Sequence, residues 1–213
     1  MDEIKEQKAE EIKEKIGNIM NLDKIADLLK SNEKEFIIGG ITYKVRKPNA
    51  YEKQEAYKKR IEKYVELLKD DKYSLEEDLK NIYLKRGIDI DKMNSDMNFL
   101  NKTKETFMEK LGAALANKAG DAETENYKKE IETLNNQIYD ISNKKTRLLE
   151  FSIENQVLIH TISYLTFLIT EKKEGESWVK VWKTWENFID GDSDLVNMAS
   201  YYTTFISSIE PEM

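Results

Sequence analysis

TENYKKEIETLNNQIYDISNKKTRLLEFSIENQVLIHTISYLTFLIT, residues 124–170, changes character halfway along, and that change decides the fold. In its first half Tyr127, Ile131, Leu134, Ile138, Ile141 and Leu148 follow a four-three rhythm, the narrow seam of a helix that pairs with one other helix. From Val157 to Ile169 the apolar residues run round most of the cylinder, as they do when neighbours enclose a helix. The stretch predicts one long helix that leaves a two-helix arm and enters a globular core.

The partner of the first half lies upstream. Met93, Met97, Leu100, Phe107, Leu111 and Ala114 repeat the rhythm behind Asp89 or Asp91 as a cap, and the chain then turns at Gly120-Asp121. So short a connection brings the second helix back along the first, which predicts an antiparallel helical hairpin. Lys104, Lys118 and Lys145 fall in the seam, where they weaken the pairing or set its register. Matching the seam gaps puts Phe107 against either Ile131 or Ile138, and both registers stand.

Around this arm the chain supplies short amphipathic helices and one β signal. Residues 2–15 are charged almost throughout and predict a fraying helix or an arm that orders on a partner, whereas Ile16 to Leu29 carries a short amphipathic pattern. Phe36-Ile37-Ile38, Gly39-Gly40 and Ile41 to Val45 read as a hairpin, with Ile41, Tyr43 and Val45 on its packed face. Asn49 caps a helix to about Lys69, and Ser74 with Glu77 has capping-box spacing before a helix that stops at Gly87. After a turn at Lys172 to Gly175, Trp178, Val181, Trp182, Trp185, Phe188 and Ile189 read as the stripe of one short helix. A last helix runs from Leu195 to Ile209. The expectation is a mainly α chain: a helical core with a protruding antiparallel coiled-coil hairpin and one small β-hairpin. Its parts are a charged N-terminal segment (1–30), the β-hairpin with two helices (31–90), the arm (91–147) and the helical core (148–213), the last forming one domain with 31–90.

Composition narrows the function. With 34 basic against 41 acidic side chains the net charge is -7, the wrong sign for neutralising phosphates, so no nucleic-acid partner is expected. Without cysteine there is no disulfide and no thiolate metal site. The N-terminus has no apolar signal core, and the apolar run near Val157 falls short of the roughly 20 residues a membrane span needs. A cytoplasmic location follows as the expectation, with no membrane partner.

The chemistry-bearing residues are sparse. His160 is the one histidine and sits in the most apolar stretch, where a satisfied core position fits better than a catalytic one. No glycine-rich phosphate loop is present. Asp190, Asp192 and Asp194 begin like a calcium loop, but Leu195 stands where the loop glycine belongs and Tyr201 where the closing glutamate belongs, so a capped turn is expected. Neither a catalytic set nor a cofactor or metal site is predicted, and the chain reads as no enzyme. Contact surfaces are expected instead at Ile41, Tyr43 and Val45 on the hairpin, at Met97, Lys104, Phe107, Ile131 and Ile138 on the arm, and at Trp178, Trp182 and Trp185.

Three segments resemble the small tail assembly chaperones of tailed bacteriophages: GGITYKVRKPNAYEKQEA (39–56), LKRGIDID (84–91) and VWKTWENFIDGDSD (181–194), with the charged helical hairpin between the last two. The charged N-terminal extension and the tryptophan-rich segment depart from that family. The resemblance implies a role in virion morphogenesis, holding a structural protein such as the tape-measure protein until the tail polymerises, in the host cytoplasm or in the virion. Apart from the resemblance, a homo-oligomer is a second partner expectation. The other reading is a coiled-coil regulator or adaptor responsive to a ligand or metal, sensing through Asp190 to Asp194.

Overall fold

The structure is a computed structural model and describes residues 31–117 and 120–207. The amphipathic pattern at 16–29, the charged segment before it, Lys118, Ile209 and Pro211 lie outside the described residues. The elements in chain order are β1 (Glu33–Ile38), β2 (Ile41–Arg46), α1 (Ala50–Leu67), α2 (Glu76–Lys85), α3 (Ile90–Ala116), α4 (Asp121–Leu148), α5 (Ile153–Ile169), β3 (Thr170–Glu174), β4 (Ser177–Lys180), α6 (Trp185–Ile189) and α7 (Ser193–Ile206). The fold is mainly α, as expected, and divides into two compact units, one of residues up to 63 with 158 onward, the other of 64–157.

In the first unit the strands form one antiparallel sheet in the order β1-β2-β3-β4. Gly39 (φ 57°) and Gly40 (φ 76°) supply the turn between β1 and β2. The single predicted hairpin is therefore half of the sheet. Residues 172–174, expected as a turn, are strand. Their charges hid the alternation that Glu171 satisfies by facing Lys44 on β2 and Lys180 on β4, which turns an unpromising sequence into cross-strand pairs. Thr170 starts β3 directly after α5, and its hydroxyl donates to the Thr166 carbonyl at 2.7 Å, so the helix ends without an orphaned buried hydroxyl.

One face of the sheet packs on α5, α6 and α7. Tyr43, Val45, Ile169, Trp182, Phe188, Leu195, Ala199 and Ile206 are buried together, and Phe36 stacks on Tyr43 at 5.7 Å and tilts against Tyr202 at 5.2 Å. Ile41, expected on that packed face, sits at the turn and is 46% exposed.

The second unit holds α2 and the antiparallel pair α3 and α4. The long helix predicted through residue 148 breaks. Leu149 closes α4, Ser152 accepts at Oγ from the Asn155 N–H at 3.2 Å, and α5 starts anew at Ile153. Serine is a favoured residue ahead of a helix, a cap signal that the surrounding apolar pattern masked. Ser152 forms a parallel bridge with Ser74, and the Ile153 N–H donates to the Ser74 carbonyl at 2.9 Å. Ser74 thus serves the chain ahead of α5 and leaves α2 uncapped by its own side chain. Glu154 Oε2 takes the Glu76 N–H at 2.8 Å instead. Leu67, Ile153 and Val157 close a small core with Tyr64, Tyr73 and Leu75.

Along the helical pair, Ile90, Met93, Met97, Leu100, Lys104, Phe107, Leu111 and Ala114 on α3 are buried or half-buried, as are Thr124, Tyr127, Ile131, Leu134, Ile138, Ile141, Lys145 and Leu148 on α4. Both runs keep an unbroken three-four spacing, the coiled-coil seam. The rings of Phe107 and Tyr127 lie 6.3 Å apart, which puts Phe107 level with the turn Tyr127–Ile131 and excludes the Ile138 register, about 10 Å further along the helix. Aligned this way, Lys104 is level with Leu134 and Lys145 with Met93.

Candidate partner-binding surfaces

The outer face of the sheet is built from alternating charges. Arg46 sits at its centre, donating from Nη2 and Nη1 to the two carboxylate oxygens of Glu52 at 2.6 and 2.8 Å and from Nε to Glu171 at 2.9 Å. Lys44 lies 3.3 Å from Glu33 and 3.5 Å from Glu171, with its ammonium 4.4 Å from the centre of the Trp178 ring. Glu52 belongs at the same time to the start of α1: its N–H donates to Asn49 Oδ1 at 2.9 Å, and its Oε2 accepts the Asn49 N–H at 2.9 Å, a reciprocal cap. Burial alone would push the Glu52 carboxyl up. The Arg46 hydrogen bonds, the Asn49 N–H and the charges of Arg46 and Lys180 outweigh it and hold the group below the ordinary carboxylate value. The same carboxylates raise Arg46 above its ordinary value, against the desolvation that would lower it.

This network escaped sequence reasoning, although its signals are present. Glu33 and Glu35 alternate on β1 as Lys44 and Arg46 do on β2, and Asn49 precedes Glu52 by the capping interval. Only the sheet adds Glu171, 125 residues from Arg46.

The tryptophans do not share a helical face. Trp178 is on β4 and covers Lys44, Trp182 lies in the following loop and is 5% exposed, and Trp185 opens α6. The apolar spacing misled because a strand, a loop and a five-residue helix together mimic one periodic run. Trp182 meets Phe188 edge-on at 4.9 Å in the core, while half-buried Trp185 stacks on Phe188 at 5.0 Å and takes the edge of His160 at 5.5 Å. His160 is half-buried against an aromatic ring, at the edge of the core.

Asp192 is a helix cap: its Oδ1 accepts the Leu195 N–H at 2.9 Å at the start of α7. Among the described residues no three side chains of His, Cys, Asp or Glu come together as a metal set, and no helix is long and apolar enough to cross a membrane.

Of the expected contact residues, Tyr43, Val45 and Trp182 are spent on the core. Met97, Lys104, Phe107, Ile131 and Ile138 share the seam. The Lys104 and Lys145 ammonium groups have no ion-pair partner among the described residues, so two of the eight seam layers contain a half-buried lysine in place of an apolar side chain. Comparison with protein-family models, with curated proteins and with solved structures returns no match to this chain.

Proposed function

We propose that this chain is a non-enzymatic protein-binding factor of phage-type tail assembly, chaperone-like or structural, which engages a long helical client such as a tape-measure protein through α3 and α4. The observation that carries the reading is the seam itself. A continuous heptad register makes the pair competent for coiled-coil contacts, and Lys104 and Lys145 leave it less stable than an all-apolar seam of the same length. Such a seam favours exchange of partners over permanent self-pairing. The resemblance of residues 39–56, 84–91 and 181–194 to tail assembly chaperones supplies the biological setting.

Co-expression with tail structural proteins tests it. The expected result is that a long helical tail protein, aggregating alone, stays in solution with this chain and crosslinks to α3 or α4. Equal aggregation with and without the chain overturns the proposal. Analysis of purified mature particles then separates the two forms: many copies per particle favour the structural component, near absence the transient chaperone.

A further inference from the structure

The outer edge of β1 ends in a short unpaired window with a readable code. In a two-residue hairpin the closing pair, here Ile38 and Ile41, is hydrogen-bonded, so the backbone groups of Ile38, Phe36 and Lys34 point at β2 and those of Ile37, Glu35 and Glu33 point away. The Lys47 N–H donating to the Asn32 carbonyl at 2.6 Å continues the same alternation. At Glu33 the outward groups are already used: the Ser31 hydroxyl accepts the Glu33 N–H at 3.2 Å and donates to the Glu33 carbonyl. Among the described residues, nothing pairs with the backbone groups of Glu35 and Ile37.

The side chains around this window are specific. Ile37 is 70% exposed beside half-buried Phe36. The Glu33 carboxylate is held by Lys44, whereas Glu35 has no ion-pair partner among the described residues. The opposite edge differs, since β4 carries half-buried Trp178, whose ring lies over Lys44, and Lys180 opposite Glu171.

We infer that the Glu35–Ile37 edge accepts an extended segment of the client protein as an added antiparallel strand, with an apolar residue facing Ile37, an apolar residue facing Phe36 and a basic residue facing Glu35. This rests on the protein-binding reading above and names a second contact for it. Main-chain bonds to Glu35 and Ile37 supply the docking, and the carboxylate of Glu35 supplies the choice of sequence.

The test uses the full isotope-labelled chain and a blocked peptide, TVIRTT, with TVIETT as its charge-reversed control. In the free chain the Glu35 and Ile37 amides exchange rapidly with solvent. With TVIRTT both slow about tenfold, as edge amides do on pairing, while TVIETT binds about three- to tenfold more weakly. In the Glu35→Lys variant the preference inverts, a result that a merely disrupted edge does not give. Three outcomes overturn the inference: protection of both amides in the free chain, which assigns the edge to another part of the same molecule; peptide-induced shifts confined to α3 and α4; and an unchanged preference in Glu35→Lys. The last two leave the assembly reading intact, while a failed co-expression with normal peptide binding sinks that reading and spares the edge.

Discussion

Arg46 and Glu52 meet across the turn from β2 into α1 in a two-pronged contact of 2.6 and 2.8 Å, and the same carboxylate closes the cap of α1. One side chain therefore fixes where the sheet ends and where the helix begins. Replacing Glu52 by Gln keeps the shape but removes the charge, leaving the half-buried guanidinium with Glu171 as its one remaining carboxylate. A loss of about 1.5–3 kcal/mol is expected, read from the urea midpoint at neutral pH; a midpoint within error of wild type removes the network as a source of stability.

The network also sets an acid limb. Because the folded-state pKa of Glu52 is depressed, its stabilisation is fully present above the unfolded value of about 4.3 and disappears as the pH falls through the lower folded value. Stability of the wild type should drop on acidification from pH 5 downward, and Glu52→Gln should flatten part of that slope. Parallel slopes for the two proteins would falsify the assignment.

In the helical pair, the register is open to direct chemistry because the chain contains no cysteine. Phe107→Cys combined with Ile131→Cys should form a disulfide under mild oxidation, whereas Phe107→Cys with Ile138→Cys should stay reduced, since the second site is about 10 Å further along the helix. The opposite pattern rejects the alignment that places Phe107 level with Ile131.

Lys104 offers a gain. Lys104→Leu fills the layer beside buried Leu134 with apolar surface, and about 1 kcal/mol or more of added stability is expected from the burial. If the seam lysine exists to keep α3 and α4 exchangeable, the same variant should hold a helical client less well in the co-expression assay. A lower melting temperature for Lys104→Leu would mean that its ammonium is better placed than its neighbours suggest.

Two glycines give opposite expectations for the same change. A Cβ at Gly191 would lie 2.9 Å from Trp182 Nε1 and 3.0 Å from the Phe188 carbonyl, while one at Gly112, inside α3, meets nothing within 4 Å. Gly191→Ala should cost about 1–3 kcal/mol by crowding the core, and Gly112→Ala should add about 0.5–1 kcal/mol by helix propensity. Chemical denaturation of both variants settles the pair.

The helical pair was legible because its signal is local. A heptad run needs no knowledge of distant chain, and the sequence carries both runs and the breaker between them. Its register was not, since equal gaps match in more than one alignment until a ring contact such as Phe107 with Tyr127 chooses. The sheet was half legible for a related reason. β1 and β2 announce themselves through Gly39-Gly40, but Thr170 to Glu174 becomes strand only beside Lys44 and Lys180. Spacing misled at Trp178, Trp182 and Trp185, where a periodic pattern spans three different backbone conformations. Contact sites depend on side chains left over after packing: Tyr43 and Val45 are consumed by the core, while Glu35 and Ile37 stay exposed.

The interruption at Leu149 to Ser152 has a kinetic meaning. In an uninterrupted helix, fraying that starts where α3 and α4 meet could run unhindered down the hydrogen-bond ladder into α5. Here the ladder is cut, and Ser152 begins a new one whose first turn is tied to Ser74. Fraying along the α4 ladder therefore stops at Leu149, and α5 starts on a first turn of its own.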